Sequence, residues 1–418
     1  MRSVNKQLSS AMGLFLWNPI QGKNMLVQLL IVTLIFMLTL FGLFANRYSW
    51  RGRKRFVFSK KYLAYAMLVT VLFTSVYIRQ MYLDYTNAQL NLRDAVKLYS
   101  YMNTTVAILN FVNQMLLSKK VARMMSNVPL FETLNELHID INKIKKSVIL
   151  ALIKVIGFPL ALEMALVLQQ KRNEPQLYWT WSLYKLFPMI ISNFLNNCYF
   201  GAMIIAKNIM ETLNERLKML VQQVNFMQQE IRKNLYSKYH RIQHYCTLAD
   251  ELNVLAVKYK IICIQATKYM ALMSLSIVLS LICHLLGITV GFYNQYYAIA
   301  ETFIGGKRYD AFGALINLVF LAISISEVAL LTYVSNDILI ATRTTGIILQ
   351  EIKLQQADWR FRQCVHAFSL QVDTIKYKIK PMGLFEIDTS LISSVISTVA
   401  SFSLILVQSD LSQRFKQS

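Results

Sequence analysis

Glycine, proline and acidic side chains are scarce in this chain of 418 residues, which has 13 Gly, 6 Pro and 22 acidic residues against 44 basic ones. With 55% hydrophobic, 12% aromatic and only 16% charged residues, these values describe a helical, membrane-embedded protein. The five cysteines, Cys198, Cys246, Cys263, Cys283 and Cys364, form no CxxC pair and keep no regular spacing, which argues against a disulfide framework. In a soluble protein the net charge of +22 would point to nucleic acid. Here the basic residues fall mainly between apolar runs, so they read as topology signals and contacts with anionic lipid headgroups, with no nucleic acid implied.

Catalytic patterns are missing too. GGKR at Gly305 lacks the phosphate-loop pattern, and no Ser-His-Asp or Cys-His set can be assembled. His240 and His244 stand one helical turn apart near Cys246, but the Glu of a zinc-binding HExxH is absent. No enzyme, cofactor or metal site is expected. The one N-x-S/T sequon, Asn103 with Thr105, lies inside an apolar run and reads as unused.

What the chain does have is hydrophobic runs. Met25 to Ala45 is long enough to cross a bilayer, and no small-x-small cleavage pattern follows it, so it reads as a span or as a helix at the interface rather than a signal peptide. Seven further runs are Tyr62–Leu83, Ala95–Leu117, Ser147–Leu168, Tyr178–Ala206, Ala266–Ala298, Ala311–Leu339 and Glu386–Gln408. Between the first two runs, Asn46 to Lys61 carries Arg47, Arg51, Arg53, Lys54, Arg55, Lys60 and Lys61 with no acidic residue, and such a connector belongs in the cytosol. That orientation places the start of the chain inside and its end outside. The long connectors from Ser118, Lys207 and Ile340 are then cytosolic.

Three stretches inside these connectors alternate four-three like coiled-coil seams. They are Leu213, Leu217, Leu220, Val224, Met227 and Ile231; Leu248, Leu252, Leu255, Tyr259 and Ile262; and Phe361, Val365, Phe368, Val372, Ile375 and Ile379. They predict a cytosolic helical bundle continuous with the spans, whether the seams pack locally or between subunits. Pro381 and Gly383 then predict a break before the last span.

The last run is unusual for its hydroxyls. Ser390, Ser394, Ser397 and Ser401 step by four, three and four, and Leu404 or Ile405 and then Gln408 continue the same helical face. Such a stripe either lines water or lets helices pack closely through small side chains. Elsewhere the runs contain Lys154, Glu163, Lys185, His284 and Glu327. Glu327 is the costliest to leave alone and reads either as a ligand or gating residue or as half of a buried pair. Tyr178, Trp179 and Trp181 at one run's start, and Tyr293, Tyr296 and Tyr297 near another's end, form either an interfacial aromatic belt or stacking surfaces for a small organic ligand.

The order of these parts resembles the insect gustatory receptor family. That family's last span carries TYhhhhhQF, with h hydrophobic, and Ser401 to Ser409 reads SFSLILVQS in the same nine places. Gln408 matches outright, Ser401 and Phe402 are conservative, and Ser403 and Ser409 depart from the pattern. GLFEIDTSLI before the last span and LFGLFANRYSWRGRKR before the first of the seven also resemble family stretches.

The resemblance implies an all-α, seven-span, tetrameric, ligand-gated, non-selective cation channel of the plasma membrane, built from this chain alone or with related subunits. It implies a pore lined by Ser390, Ser394, Ser397 and Ser401, with Ile405, Gln408 and Ser409 at the gate and Glu386 and Asp388 at the cytosolic mouth. It also implies a tastant pocket among the first six spans, for which Tyr178, Trp179, Trp181, His284, Tyr293, Tyr296, Tyr297 and Glu327 are the candidates. The corresponding divisions are residues 1–61 (cytosolic, with the extra helix 25–45), 62–340 (six-helix ligand-binding region), 341–385 (cytosolic anchor) and 386–418 (pore helix and short external tail). A G-protein-coupled receptor would need the opposite orientation, and the DRY-like and NPxxY-like motifs are missing. A secondary transporter would show paired broken helices in two related halves, which the sequence does not.

Overall fold

The structure is a computed structural model that describes residues 25–49, 55–86, 95–127, 141–173, 179–232, 238–304, 306, 308–375 and 377–417. Helix α1, Met25–Leu40, ends where Gly42 takes a φ of 73°. Leu43 N donates to Leu38 O (2.8 Å) and Gly42 N to Thr39 O (3.1 Å), the paired bonds of a left-handed helix stop.

The basic connector after α1 is not only loop. Strands β1 (Asn46–Ser49) and β2 (Arg55–Phe58) pair antiparallel, with Asn46 opposite Phe58. Helices α2 (Lys60–Thr86) and α3 (Ala95–Asn127) follow. The hairpin rests on α3, where Ser126 Oγ donates to Phe56 O at 2.6 Å and the Lys119 ammonium lies 5.5 Å from the Phe58 ring centre. This small sheet is an exception to the all-α expectation, and its short strands carried too little alternation to be read from sequence.

Helices α4 (Ile141–Leu152) and α5 (Phe158–Asn173) are joined by a π-helical turn, Ile153–Gly157. Pro159 has no N–H to return to the carbonyl of Val155, so the ladder widens there. Helices α6 (Trp179–Arg232) and α7 (Lys238–Phe303) have 54 and 66 residues. At 1.5 Å per residue they run about 80 and 100 Å, far beyond a hydrocarbon core about 30 Å thick. Helices α8 (Ala311–Gln350), α9 (Trp359–Thr374) and α10 (Thr389–Gln417) complete the chain. Every one of the seven predicted runs falls largely within helix. Among the described residues, five stretches are long and apolar enough to cross a membrane: Lys60–Thr86, Phe187–Gln229, Tyr239–Phe303, Ala311–Gln350 and Thr389–Arg414.

Two hydrophobic clusters share these long helices. One holds Phe111, Phe194, Tyr199, Ile277 and Leu331, and Val399 of α10 joins it. The second gathers the three predicted seams. Leu213, Leu217, Leu220, Val224 and Met227 of α6 meet Leu248, Leu252, Leu255 and Tyr259 of α7, with Phe361, Val365 and Phe368 of α9. The seams are therefore consumed within one chain, each covering the others.

The third seam is shorter than its spacing suggests. Helix α9 stops at Thr374, and Ile379 is buried outside any helix, where its carbonyl accepts from Ile387 N at 2.9 Å. The break therefore begins at Ile375, before Pro381 and Gly383. Those two residues bound a single 3₁₀ turn whose Met382 and Gly383 take φ values of 51° and 74°. Pro381 holds Lys380 extended, so the approach to the turn cannot be helical.

Candidate functional site

Asp388 starts the last helix. Its carboxylate accepts from Ser390 N at 2.9 Å and from Ser390 Oγ at 2.5 Å, which caps α10 one turn inside the predicted run. Glu386 is bound by Lys378 Nζ and Lys380 Nζ, each at 2.9 Å. Hydrogen bonds from these two ammonium groups pull its carboxyl down to about 2. Asp388 caps the last helix and Glu386 lies just ahead of it, and both are already engaged.

Beyond this cap the helix touches its own chain along one narrow strip. Leu391 and Val395 are partly buried and Val399 is buried, all against the first cluster. Ser390, Ser394, Ser397, Ser401, Ile405, Gln408 and Ser409 are exposed, as are Ile396, Phe402 and Leu404. The apolar part of α10 is almost entirely uncovered, whereas the stretch starting at Phe187 in α6 is mostly buried, so α10 is peripheral and α6 central. Ser394 Oγ donates to Ser390 O (3.1 Å), and Ser401 Oγ donates to Ser397 O (2.9 Å). These two hydroxyls satisfy themselves within the helix, so neither needs a second helix to hold it in an apolar medium.

Deep among the long helices lies a second polar group. Lys154, on the π turn, forms an ion pair with Glu327 of α8, and their side chains are 0% and 5% exposed. Lys154 Nζ also donates to Asn197 Oδ1 of α6 at 2.9 Å. Glu327 is thus half of a buried pair. Away from water, each member of such a pair supplies solvation that the other lacks. His284 of α7 is buried as well, and neither ring nitrogen has a hydrogen-bond partner among the described residues.

Neutral polar side chains extend this interior. Ser192 Oγ donates to Asn103 Oδ1 (2.6 Å), Asn110 Nδ2 to Ser192 O (3.1 Å) and Ser280 Oγ to Asn193 Oδ1 (3.2 Å), tying α3, α6 and α7 together. The sequon residue Asn103 is therefore an internal contact. Sequence reasoning missed Asn193 and Asn197, whose signal was amides within an apolar run.

The aromatic candidates are only partly placed. Tyr178 lies outside the described residues, and for Trp179, Trp181, Glu163 and Lys185 the structure fixes only the helix each belongs to. Tyr293 lies 6.2 Å from Tyr296 and 6.4 Å from Tyr297, ring centre to ring centre, near the end of α7. These rings face the last helix, since Tyr296 OH donates to Asp410 at 3.1 Å and Arg414 lies 5.2 Å from the Tyr297 ring centre. The i,i+4 spacing of Asp410 and Arg414 was the available signal for this contact. His240 and His244 are exposed, and all five cysteines are free thiols.

Comparison with known proteins agrees with this architecture. Residues 32–413 match the profile of the family described as "7tm Chemosensory receptor". "Putative gustatory receptor 94a" of Drosophila melanogaster is 55% identical over 391 residues, spanning 94% of this chain and 97% of the relative. "Putative gustatory receptor 97a" of the same species is 39% identical over 392 residues, spanning 93% and 92%. In fold, the chain is similar to the insect olfactory receptor OR5 from Machilis hrabei. With eugenol the TM-score is 0.53 at 13% identity, covering 91% of this chain and 98% of that one. For a second structure of the same receptor, the TM-score is 0.56 at 12% identity, covering 90% and 97%. The chain is a multi-pass membrane protein that belongs to the chemosensory receptor family, with gustatory receptors as its curated relatives.

Proposed function

We propose that this receptor is a tastant-gated, non-selective cation channel of the plasma membrane, assembled as a tetramer, alone or with related subunits. The last of its seven spans lines the central pore. The single observation behind this reading is the orientation of α10. An apolar helix of membrane-crossing length buries Val399 against its own chain and turns Ser390, Ser394, Ser397 and Ser401 away from it. Four such faces around an axis would give a hydroxyl-lined path with Ile405 and Gln408 near one end. The start of the chain and the seam bundle are cytosolic, and the first six spans hold a small-molecule tastant. Similarity of fold to an olfactory receptor whose structure was solved with eugenol supports a small organic ligand.

Whole-cell recording tests this reading. Cells expressing the receptor, challenged with a tastant panel, should pass an inward cation current whose size or block changes in Gln408→Ala. Silence across a broad panel, in cells with the receptor at the surface, would count against it. A glycosylation tag fused after Ser418 should be modified if the orientation is right. An unmodified tag reports the opposite topology.

A further inference from the structure

We infer that Arg414, Asp410, Glu301 and Tyr296 form a latch that fixes the rotational setting of the last helix, and that its release is part of opening. Arg414 Nε donates to Asp410 Oδ2 at 2.7 Å, and Arg414 Nη1 donates to Glu301 Oε1 at 3.2 Å. Tyr296 OH reaches the same Asp410 oxygen at 3.1 Å, and the guanidinium lies 5.2 Å from the Tyr297 ring centre. One arginine thus joins both carboxylates and one aromatic face, tying the end of α10 to the end of α7. The three charged side chains are only 14–20% exposed, so solvent screens these contacts less than it does an open surface pair.

Placement gives the cluster its consequence. At about 100° per residue, Gln408 falls within about 20° of Ser401, whereas Asp410 falls about half a turn away from it. Asp410 and Arg414 therefore anchor the same side of α10 that Val399 buries. Hydrophobic contact alone resists rotation weakly on a helix whose apolar part is almost entirely uncovered. Fixed donors and acceptors at the far end set the angle, and Gln408 follows because it lies two residues from Asp410. Arg414 and Asp410 act as positioning residues, since neither is on the stripe.

The functional half of this inference rests on the pore reading above, so the test has two arms. In purified full-length receptor, hydrogen exchange is followed over peptides covering 404–414. Arg414→Gln and Glu301→Gln should each speed exchange there about tenfold, the loss expected for a charge-assisted contact that holds a local segment. Arg414→Lys, which keeps the charge without the forked geometry, should fall between. Arg343→Gln, an exposed charge on α8, should match the parent. Unchanged exchange in both latch variants overturns the latch. In the second arm, unstimulated current in cells with matched surface receptor should rise several-fold for the same variants. Faster exchange with parental current leaves the latch standing as a structural clasp and removes its link to Gln408 as a gate.

Discussion

Lys154 and Glu327 meet in an ion pair at the centre of the long helices, one from a π-helical turn and one from α8. Removing one member leaves the other charge buried and unpaired. Glu327→Ala should therefore lower stability by about 3–5 kcal/mol, whereas Lys154→Met combined with Glu327→Leu should recover much of that loss. Melting temperatures of the purified receptor variants check both. Equal melting of Glu327→Ala and the parent would mean that the pair contributes nothing.

Glu386 leads to a pH prediction. Its folded value, about 2, is depressed below the ordinary 4.5 by Lys378 and Lys380. The stabilisation is therefore fully present above the unfolded value and is lost as pH falls through the folded one. The difference in melting temperature between Glu386→Gln and the parent should be constant from pH 8 to about 5 and shrink only below about 4.5. A difference that changes between pH 8 and 6 would implicate another group.

Gly42 is held at a φ of 73°, and a Cβ there would sit 3.1 Å from Val69 Cβ on α2. Gly42→Ala combines left-handed strain of about 1–2 kcal/mol with that close contact. A lower melting temperature and reduced surface yield are expected. Gly306, also at positive φ but with nothing within 4 Å of a built Cβ, isolates the strain alone.

Phe361 is wholly buried in the seam cluster, against Tyr245 at 5.5 Å between ring centres. Phe361→Ala should cost about 3–5 kcal/mol. Trp359, two residues earlier and 71% exposed, should tolerate alanine with little change. Comparing the two variants by melting separates burial from mere aromatic content.

Much of the helical layout was legible because apolar length and four-three spacing are local properties of the chain. The seven runs and the seams at Leu213, Leu248 and Phe361 each declared their helices before any contact was known. The end of α9 was not legible, because the Ile379–Ile387 backbone bond that replaces helix there joins residues eight apart in an irregular link. The hairpin was hidden for a similar reason, its four-residue strands being defined by their pairing and by α3 beneath them.

The sequence by itself determined that this is a helical membrane protein, that its last span carries a hydroxyl stripe, and which family it resembles. Periodicity and hydropathy are written residue by residue, and a stripe needs no partner to exist. Tertiary structure alone decided which side of α10 meets the chain, that Lys154 is the partner of Glu327, and that Arg414 ties the last helix to Glu301. Charge pairing across helices depends on distances between segments more than one hundred residues apart, and only packing sets those distances.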